Sequence, residues 1–259
     1  MNKDKNTTIQ IPKKIHYFWF GNKQKPKIVE KCIMSWKKNC PDYEIIEWNE
    51  SNFNTSICDY VKEAYEAGRW AFVSDYARIW VIQKYGGIYL DTDVELLSSL
   101  DKFLSNKTFF ATESNKAIGT GVGFGSTPNN PILSLILKEY NKLHFKLNDG
   151  NYDTTPCPIR QTKIIKDYLG DFDINNSPVH IGHTWIYPSE FFCPLDYSTH
   201  KLSKTKNTVA IHWYAGSWVS PKQRLAHIIN IPVARTARFL KKHLSKEDFN
   251  KLRRLFKKQ

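Results

Sequence analysis

The apolar positions of the chain change period repeatedly, and each change predicts an element. Ile11 to Phe20 (IPKKIHYFWF) is aromatic and β-branched and ends at Gly21, which predicts a first strand running into a loop. Pro26 to Lys38 carries Ile28, Cys32, Ile33 and Trp36 at helical spacing, and Tyr43 to Trp48 predicts a second strand. Asn52 to Ala67 predicts a weaker helix. Trp70 to Tyr85 is the strongest helical segment, stopped by Gly86-Gly87, since glycine just past the last periodic residue ends a helix. Ile88-Tyr89-Leu90 then predicts a short strand leading directly into Asp91-Thr92-Asp93. Thr108 to Thr112 and Gly121 to Gly125 predict two more strands, and Pro131 to Phe145 an amphipathic helix. Asn148 to Pro158 reads as a surface loop, Gln161 to Leu169 as a helix and Thr208 to Trp213 as a strand. Strands alternating with helices predict an α/β domain with a mostly parallel central sheet over residues 11–230, after a polar leader at 1–10 and before a tail at 231–259.

Composition narrows the function classes. An apolar fraction of 41% with 24% charged residues excludes a wholly disordered chain. No apolar run reaches the ~18 residues that span a bilayer, and the first ten residues lack a signal-peptide core, so a cytoplasmic location is expected. Cys32, Cys40, Cys58, Cys157 and Cys193 are scattered with no C-x-x-C pair, which argues for free thiols over disulfides or structural zinc. The net charge of +13 is concentrated: residues 234–259 hold ten Lys/Arg against two acids, a balance of +8. The body is only mildly basic.

The chemistry gathers around Asp91-x-Asp93. Carboxylates at i and i+2 point to opposite faces of a strand, but at a strand end the turning chain lets both reach one cation. Hard oxygen ligands of this kind suit Mg²⁺ or Mn²⁺. Alone, the pair reads as a solvated turn. Upstream, Asp75 and Arg78 lie at i and i+3 on one face of the predicted helix, within an otherwise apolar segment. A surface ion pair would explain them, but buried charges need partners, and a guanidinium suits a diphosphate as a carboxylate suits ribose hydroxyls.

The run from Trp70 to Leu97, with the pattern A-x-x-S-D-x-x-R followed by G-G-x-Y-x-D-x-D, closely resembles the signature of glycosyltransferase family 32. It is also similar to the catalytic core of the large glucosylating toxins. Ile15 to Gly21 looks like that family's first strand, and Ile211-His212-Trp213 with Ser217-Trp218 looks like its C-terminal element; the resemblance covers residues 11–220. It implies a GT-A-type fold and a retaining, metal-dependent hexosyltransferase that uses a nucleotide sugar, a UDP-sugar in particular. It further implies that Asp93, Asp91 and His212 hold Mn²⁺ or Mg²⁺ and that Asp91, Asp93 and Arg78 are catalytic. Phe18, Trp19, Asp75, Arg78, Tyr89, Asp91, Ser217 and Trp218 would bind the donor, with Trp19 stacked on the base. On their own residues, Trp19 reads as a core aromatic and His212 as a satisfied core histidine.

The implied acceptor is a saccharide, lipid-linked, in bacterial capsular or other surface polysaccharide synthesis. The loop Asn148 to Gln161, with Asp149, Asp153 and Arg160, stands as an acceptor-side candidate or a solvated connection. Two other readings compete. A haloacid-dehalogenase-like phosphohydrolase would use Asp91 as nucleophile and Asp93 as acid, but Val94-Glu95 follow instead of small or hydroxyl residues. A nucleic-acid-binding protein would use the tail, but this leaves the carboxylates unexplained and the charge forms no groove, so no nucleic-acid partner is expected. In the tail itself, Val233, Ala237, Leu240 and Leu244 form one apolar stripe, and Ser245-x-x-Asp248 opens a second with Phe249, Leu252, Leu255 and Phe256. Basic residues flank both, the pattern of helices lying on an anionic membrane, as a peripheral protein of the inner face would need. Packing on the catalytic domain is the alternative.

Overall fold

The computed structural model describes residues 10–113, 116–174 and 177–216. The chain divides into two compact units, Met1–Pro194 with Ser203–Trp218, and Leu195–Leu202 with Val219–Gln259. The described part of the second unit is a turn closed by a Leu195↔Leu202 bridge, in which the Asp196 carboxylate accepts from the Thr199 N–H and hydroxyl. The expected boundary at residue 230 and the amphipathic tail lie outside the described residues. Among the described residues no helix is long and apolar enough to cross a membrane.

The first unit is built on a seven-stranded sheet. Its strands are β1 (Lys14–Phe18), β2 (Glu44–Trp48), β3 (Gly87–Tyr89), β5 (Thr108–Ala111), β6 (Phe124–Ser126), β7 (Val179–Ile181) and β8 (Thr184–Tyr187), in the order β2-β1-β3-β6-β5-β8-β7. β2, β1, β3, β5 and β8 share one direction, and β6 and β7 oppose them. The expected mostly parallel α/β sheet is what forms. A two-stranded antiparallel sheet joins β4 (Val94–Leu96) to β9 (Ala210–His212).

Alternation along the strands divides the core between the two faces. Ile15, Tyr17 and Ile88 pack with Cys32 and Trp36 of α1 (Lys27–Asn39). Phe18, Tyr89, Phe110 and Phe124 pack beneath α2 (Asp59–Glu66), α3 (Trp70–Tyr85), α4 (Pro131–Tyr140) and α5 (Cys157–Leu169). A short α6 (Ser189–Phe192) completes the unit.

The α3–β3 junction shows why two glycines stand there. Gly86 has φ +65°, a conformation that favours glycine, and ends the helix. At Gly87 a Cβ would meet the Lys14 carbonyl oxygen at 2.9 Å and His16 Nε2 at 3.0 Å, so side-chain-free backbone lets β3 lie against β1. The His16 ring is buried, accepts from Trp48 Nε1 and donates Nε2–H to the Gly86 carbonyl, and burial holds its pKa down at about 4.

Several boundaries differ from expectation. The helix expected from Asn52 forms only over Asp59–Glu66, because Asn49, Asn52 and Asn54 side chains accept from or pair with nearby backbone N–H groups and hold turns. The strand expected over Gly121–Gly125 is displaced to Phe124–Ser126, the preceding residues forming a turn. The helix from Pro131 stops at Tyr140, and α5 starts earlier than expected, at Cys157, with Pro158 in its first turn. Of the expected loop, Asp153 is ion-paired with Arg160 and Asp149 accepts from Asn151.

Candidate active site

β3 delivers its C-terminal end to the site, the place where parallel strands present ligand-binding residues. After Leu90 the chain turns at Asp91-Thr92-Asp93: the Asp91 N–H donates to the Gly121 carbonyl (2.9 Å), and the Val94 N–H donates back to the Asp91 carbonyl (3.0 Å). The turn aims both carboxylates off the sheet end. Asp91 Oδ1 accepts from the Tyr89 hydroxyl at 2.8 Å and lies 3.2 Å from Arg78 Nη2.

Arg78 ties helix to turn. Its Nη2 is also 3.1 Å from Asp75 Oδ1, its Nε donates to the Ser74 carbonyl, and its guanidinium lies 5.0 Å from the Tyr89 ring centre. Asp75 and Arg78 are 8% and 5% exposed, so their ion pair is buried, not a helix-surface pair. Burial pushes the Asp75 carboxyl up, opposed by the Arg78 charge and by a hydrogen bond from the Cys157 thiol.

Asp93 is held from the other direction. β4 pairs with β9 in the register Val94↔His212, which sets the imidazole beside Asp93, Nε2 to Oδ1 at 3.1 Å. The Trp213 N–H donates to the Asp93 carbonyl and the Ala215 N–H to Asp93 Oδ2, at 2.9 and 2.7 Å. Burial opposes charge on both partners, yet their mutual attraction wins: Asp93 titrates below the ordinary 3.8 and His212 well above 6.5. Without a cation the two form a carboxylate–imidazolium pair.

Asp91, Asp93 and His212 each place one ligand atom within 4.8 Å of the others. Two carboxylates and an imidazole whose Nε2 faces Asp93 fit a divalent cation.

The structure thus brings together Asp75, Arg78, Tyr89, Asp91, Asp93 and His212. Tyr89 is enclosed and reaches the site through its hydroxyl on Asp91. Phe18 is a core residue, packed among Phe20, Trp48 and Phe53 with its ring 6.2 Å from that of Tyr89, so it stands behind Tyr89. Trp19 is half-buried at the end of β1, its Nε1–H on the Lys23 carbonyl and Lys25 over its ring. Ser217 and Trp218 lie outside the described residues.

Three further residues belong to this site by position. A Cβ on Gly121 would stand 2.1 Å from Asp91 Oδ2 and 2.9 Å from Arg78 Nη1, so this glycine makes room for the pair. Cys157, in the first turn of α5, sets its sulfur 3.8 Å from Arg78 Nη1. Glu113 follows β5, and its charge is felt by His212, Asp91, Arg78 and Asp75. Glu113 had a readable signal, an acid just past an apolar strand, the same signal that marks Asp91. Glycines two apart at 119, 121 and 123 signal close backbone approach. Cys157 had none.

Residues 1–143 match the model of a known family, described as "Capsular polysaccharide synthesis protein". The chain belongs to this family. The resemblance to glycosyltransferase family 32 holds at the same level, since relatives of this family member carry matching names. Over 167 residues it is 29% identical to Inositol phosphoceramide mannosyltransferase 3 of Schizosaccharomyces pombe, which covers 58% of this chain and 44% of that protein. It is 28% identical over 180 residues to an uncharacterized glycosyltransferase of Acanthamoeba polyphaga mimivirus, covering 64% of this chain and 67% of that one. The match thus spans less than half of the fission-yeast relative. Among solved structures, PaToxG Glycosyltransferase aligns with a TM-score of 0.49 at 19% identity over 62% of this chain and 70% of that one.

Proposed function

We propose that the protein transfers a sugar from a nucleoside-diphosphate donor, a UDP-sugar, to a saccharide acceptor with retention of configuration, using Mn²⁺ or Mg²⁺. The observation that carries this reading is the cluster of Asp91, Asp93 and His212 joined through Asp91 to the buried guanidinium of Arg78. It sets cation-binding and phosphate-binding chemistry side by side at the end of β3. Membership of the family supports the sugar-transfer class over the phosphohydrolase alternative. The test is a panel of nucleotide sugars assayed for nucleoside diphosphate release with and without Mn²⁺. Release that is unaffected by metal chelation, or absent for every donor, overturns the reading.

In this reading Asp91, Asp93 and His212 hold the cation, which when bound neutralises charge on the departing diphosphate. Arg78 is pre-oriented for the same charge by Asp75, Ser74 and Tyr89, so little reorganisation is needed as the bond breaks. Trp19, Asp75, Ser217 and Trp218 contact the donor.

The His212–Asp93 pair makes cation binding pH-dependent. A metal-bound imidazole must be neutral, so binding releases the His212 proton. Mn²⁺ affinity is expected to rise by about tenfold per pH unit while His212 remains protonated in the free protein. The stability of the cation-free protein runs the other way: the His212 contribution is present below 6.5 and is lost as pH rises through its raised folded value, and the Asp93 contribution is lost only as pH falls below 3.8 through its lowered one. Calorimetric titration in two buffers of different ionisation enthalpy measures the released proton. No release would remove His212 from the ligand set.

A lipid-linked acceptor in surface polysaccharide synthesis accords with the family's description and with a relative whose name joins a mannosyltransferase to a phosphoceramide. It implies a cytoplasmic enzyme held peripherally on the inner membrane face by residues 231–259. Anionic lipid attracts Lys and Arg by about 1 kcal/mol each near the surface, so half of the ten would suffice for retention. Full-length protein is expected to float with anionic liposomes, less so as salt rises, and a truncation after Ile231 is expected not to. Equal binding by both removes the tail as anchor.

A further inference from the structure

We propose that Glu113 is a sugar-hydroxyl-binding residue of this site, holding the uncharged part of the substrate opposite the diphosphate; this rests on the transferase reading above. Glu113 opens a tight turn after β5, its N–H on the Ala117 carbonyl and its carbonyl accepting from Lys116 N–H. The chain returns through Gly119 to Gly121. A Cβ at Gly119 would lie 2.8 Å from Glu113 Cγ and 3.1 Å from Oε1, and a Cβ at Gly121 would lie 2.1 Å from Asp91 Oδ2. Two glycines in one turn thus make room for two carboxylates, those of Glu113 and Asp91.

The two carboxylates differ in partners. Asp91 is held by Arg78 and Tyr89. Glu113 is partly buried, and among the described residues nothing donates to its carboxylate oxygens. Burial pushes its carboxyl up, and the charges of Asp91 and Asp75 push the same way against His212 and Arg78. The Glu113 oxygens are not sealed from solvent, so a substrate that displaces water from them must supply donors in its place. The diphosphate cannot, because a second anion is repelled. Sugar hydroxyls can: they are neutral, they donate, and a hydrogen bond to a carboxylate is stronger than one to a neutral acceptor.

Those hydroxyls belong either to the donor sugar or to the incoming acceptor. In the second case the carboxylate receives the hydroxyl proton while that oxygen bonds the anomeric carbon, and the breaking bond leaves its electron pair on the diphosphate. The two share one chemistry, and binding separates them.

The experiment compares wild type with Glu113→Gln and Glu113→Asp. Titration calorimetry in Mn²⁺ measures affinity for uridine diphosphate (guanosine diphosphate if the panel selects a GDP-sugar) and for the selected nucleotide sugar, alongside turnover and thermal melting. Glu113→Gln is expected to melt with wild type and to bind the nucleoside diphosphate unchanged, while turnover falls by about tenfold or more. Glu113→Asp should recover part of it. Weakened nucleotide-sugar binding assigns Glu113 to the donor sugar, and unchanged binding with lost turnover assigns it to the incoming hydroxyl. Full turnover in Glu113→Gln overturns the inference alone, as does a parallel fall in affinity for nucleoside diphosphate and nucleotide sugar. A wild type that binds no nucleoside diphosphate with metal overturns the transferase reading, and the inference with it.

Discussion

Gly121→Ala is expected to cut sugar transfer by about a hundredfold or more while leaving the fold in place. Gly121 lies outside the left-handed φ region, so the backbone accepts alanine. The clash falls on the site. A Cβ would stand 2.1 Å from Asp91 Oδ2 and 2.9 Å from Arg78 Nη1, closer than real Cβ contacts come, and 3.0 Å from Asp91 Cγ. Asp91 must swing away, giving up its 3.2 Å ion pair with Arg78 and its bond from the Tyr89 hydroxyl. Displacement of a reacting-site group by about 1 Å costs on the order of a hundredfold in rate, so turnover should drop by about that factor or more. Overpacking of about 1–3 kcal/mol should lower the melting temperature by several degrees without unfolding the protein at assay temperature. Steady-state kinetics and a thermal melt suffice. Turnover near wild type would detach Asp91 from the chemistry.

Arg78→Lys should be nearly as damaging. On an exposed helix face the pair with Asp75 would contribute at most ~1 kcal/mol, and lysine would replace arginine readily. The structure places Arg78 inside, with Nη2 between two carboxylates, Nε on the Ser74 carbonyl and the guanidinium over the Tyr89 ring. An ammonium keeps the charge but cannot make the flat three-way contact. Loss of a charged hydrogen bond costs about 1.5–3 kcal/mol, so turnover and nucleoside diphosphate affinity should each fall by roughly tenfold to a hundredfold. Asp91→Ala and Asp93→Ala, which remove two of the proposed cation ligands, should lose transfer, and Asp93→Ala, which strips His212 of its carboxylate, should also lower the melting temperature. Unchanged donor affinity in Arg78→Lys would leave the arginine a structural residue.

Much of this site is legible in the sequence because its residues are local to strong elements. The apolar density of Trp70–Tyr85 fixes a helix, the glycine pair ends it, and a short apolar strand must then release Asp91 and Asp93 at its end. His212 was legible as a residue of a late strand, but its placement beside Asp93 depends on a pairing 118 residues apart in sequence, between β4 and β9. β4, β7 and β8 are three or four residues long and carry no period to read. Phe18 and Trp19 look alike in sequence, and only the pleat decides that Phe18 faces the core. Gly121 and Cys157 act by what they approach across the fold, at separations such as the 79 residues between Arg78 and Cys157. The alternate glycines signal a close approach at 121, but no local pattern says what approaches, and Cys157 carries no signal at all.

The join between β4 and β9 has an evolutionary corollary. Backbone amides and carbonyls make the pairing, and they are indifferent to most side chains. The segment bearing His212 therefore needs little more than an extended stretch with the right residue opposite Val94. Descendants of one ancestor can rewrite the intervening hundred or so residues while the grouping of Asp91, Asp93 and His212 survives intact.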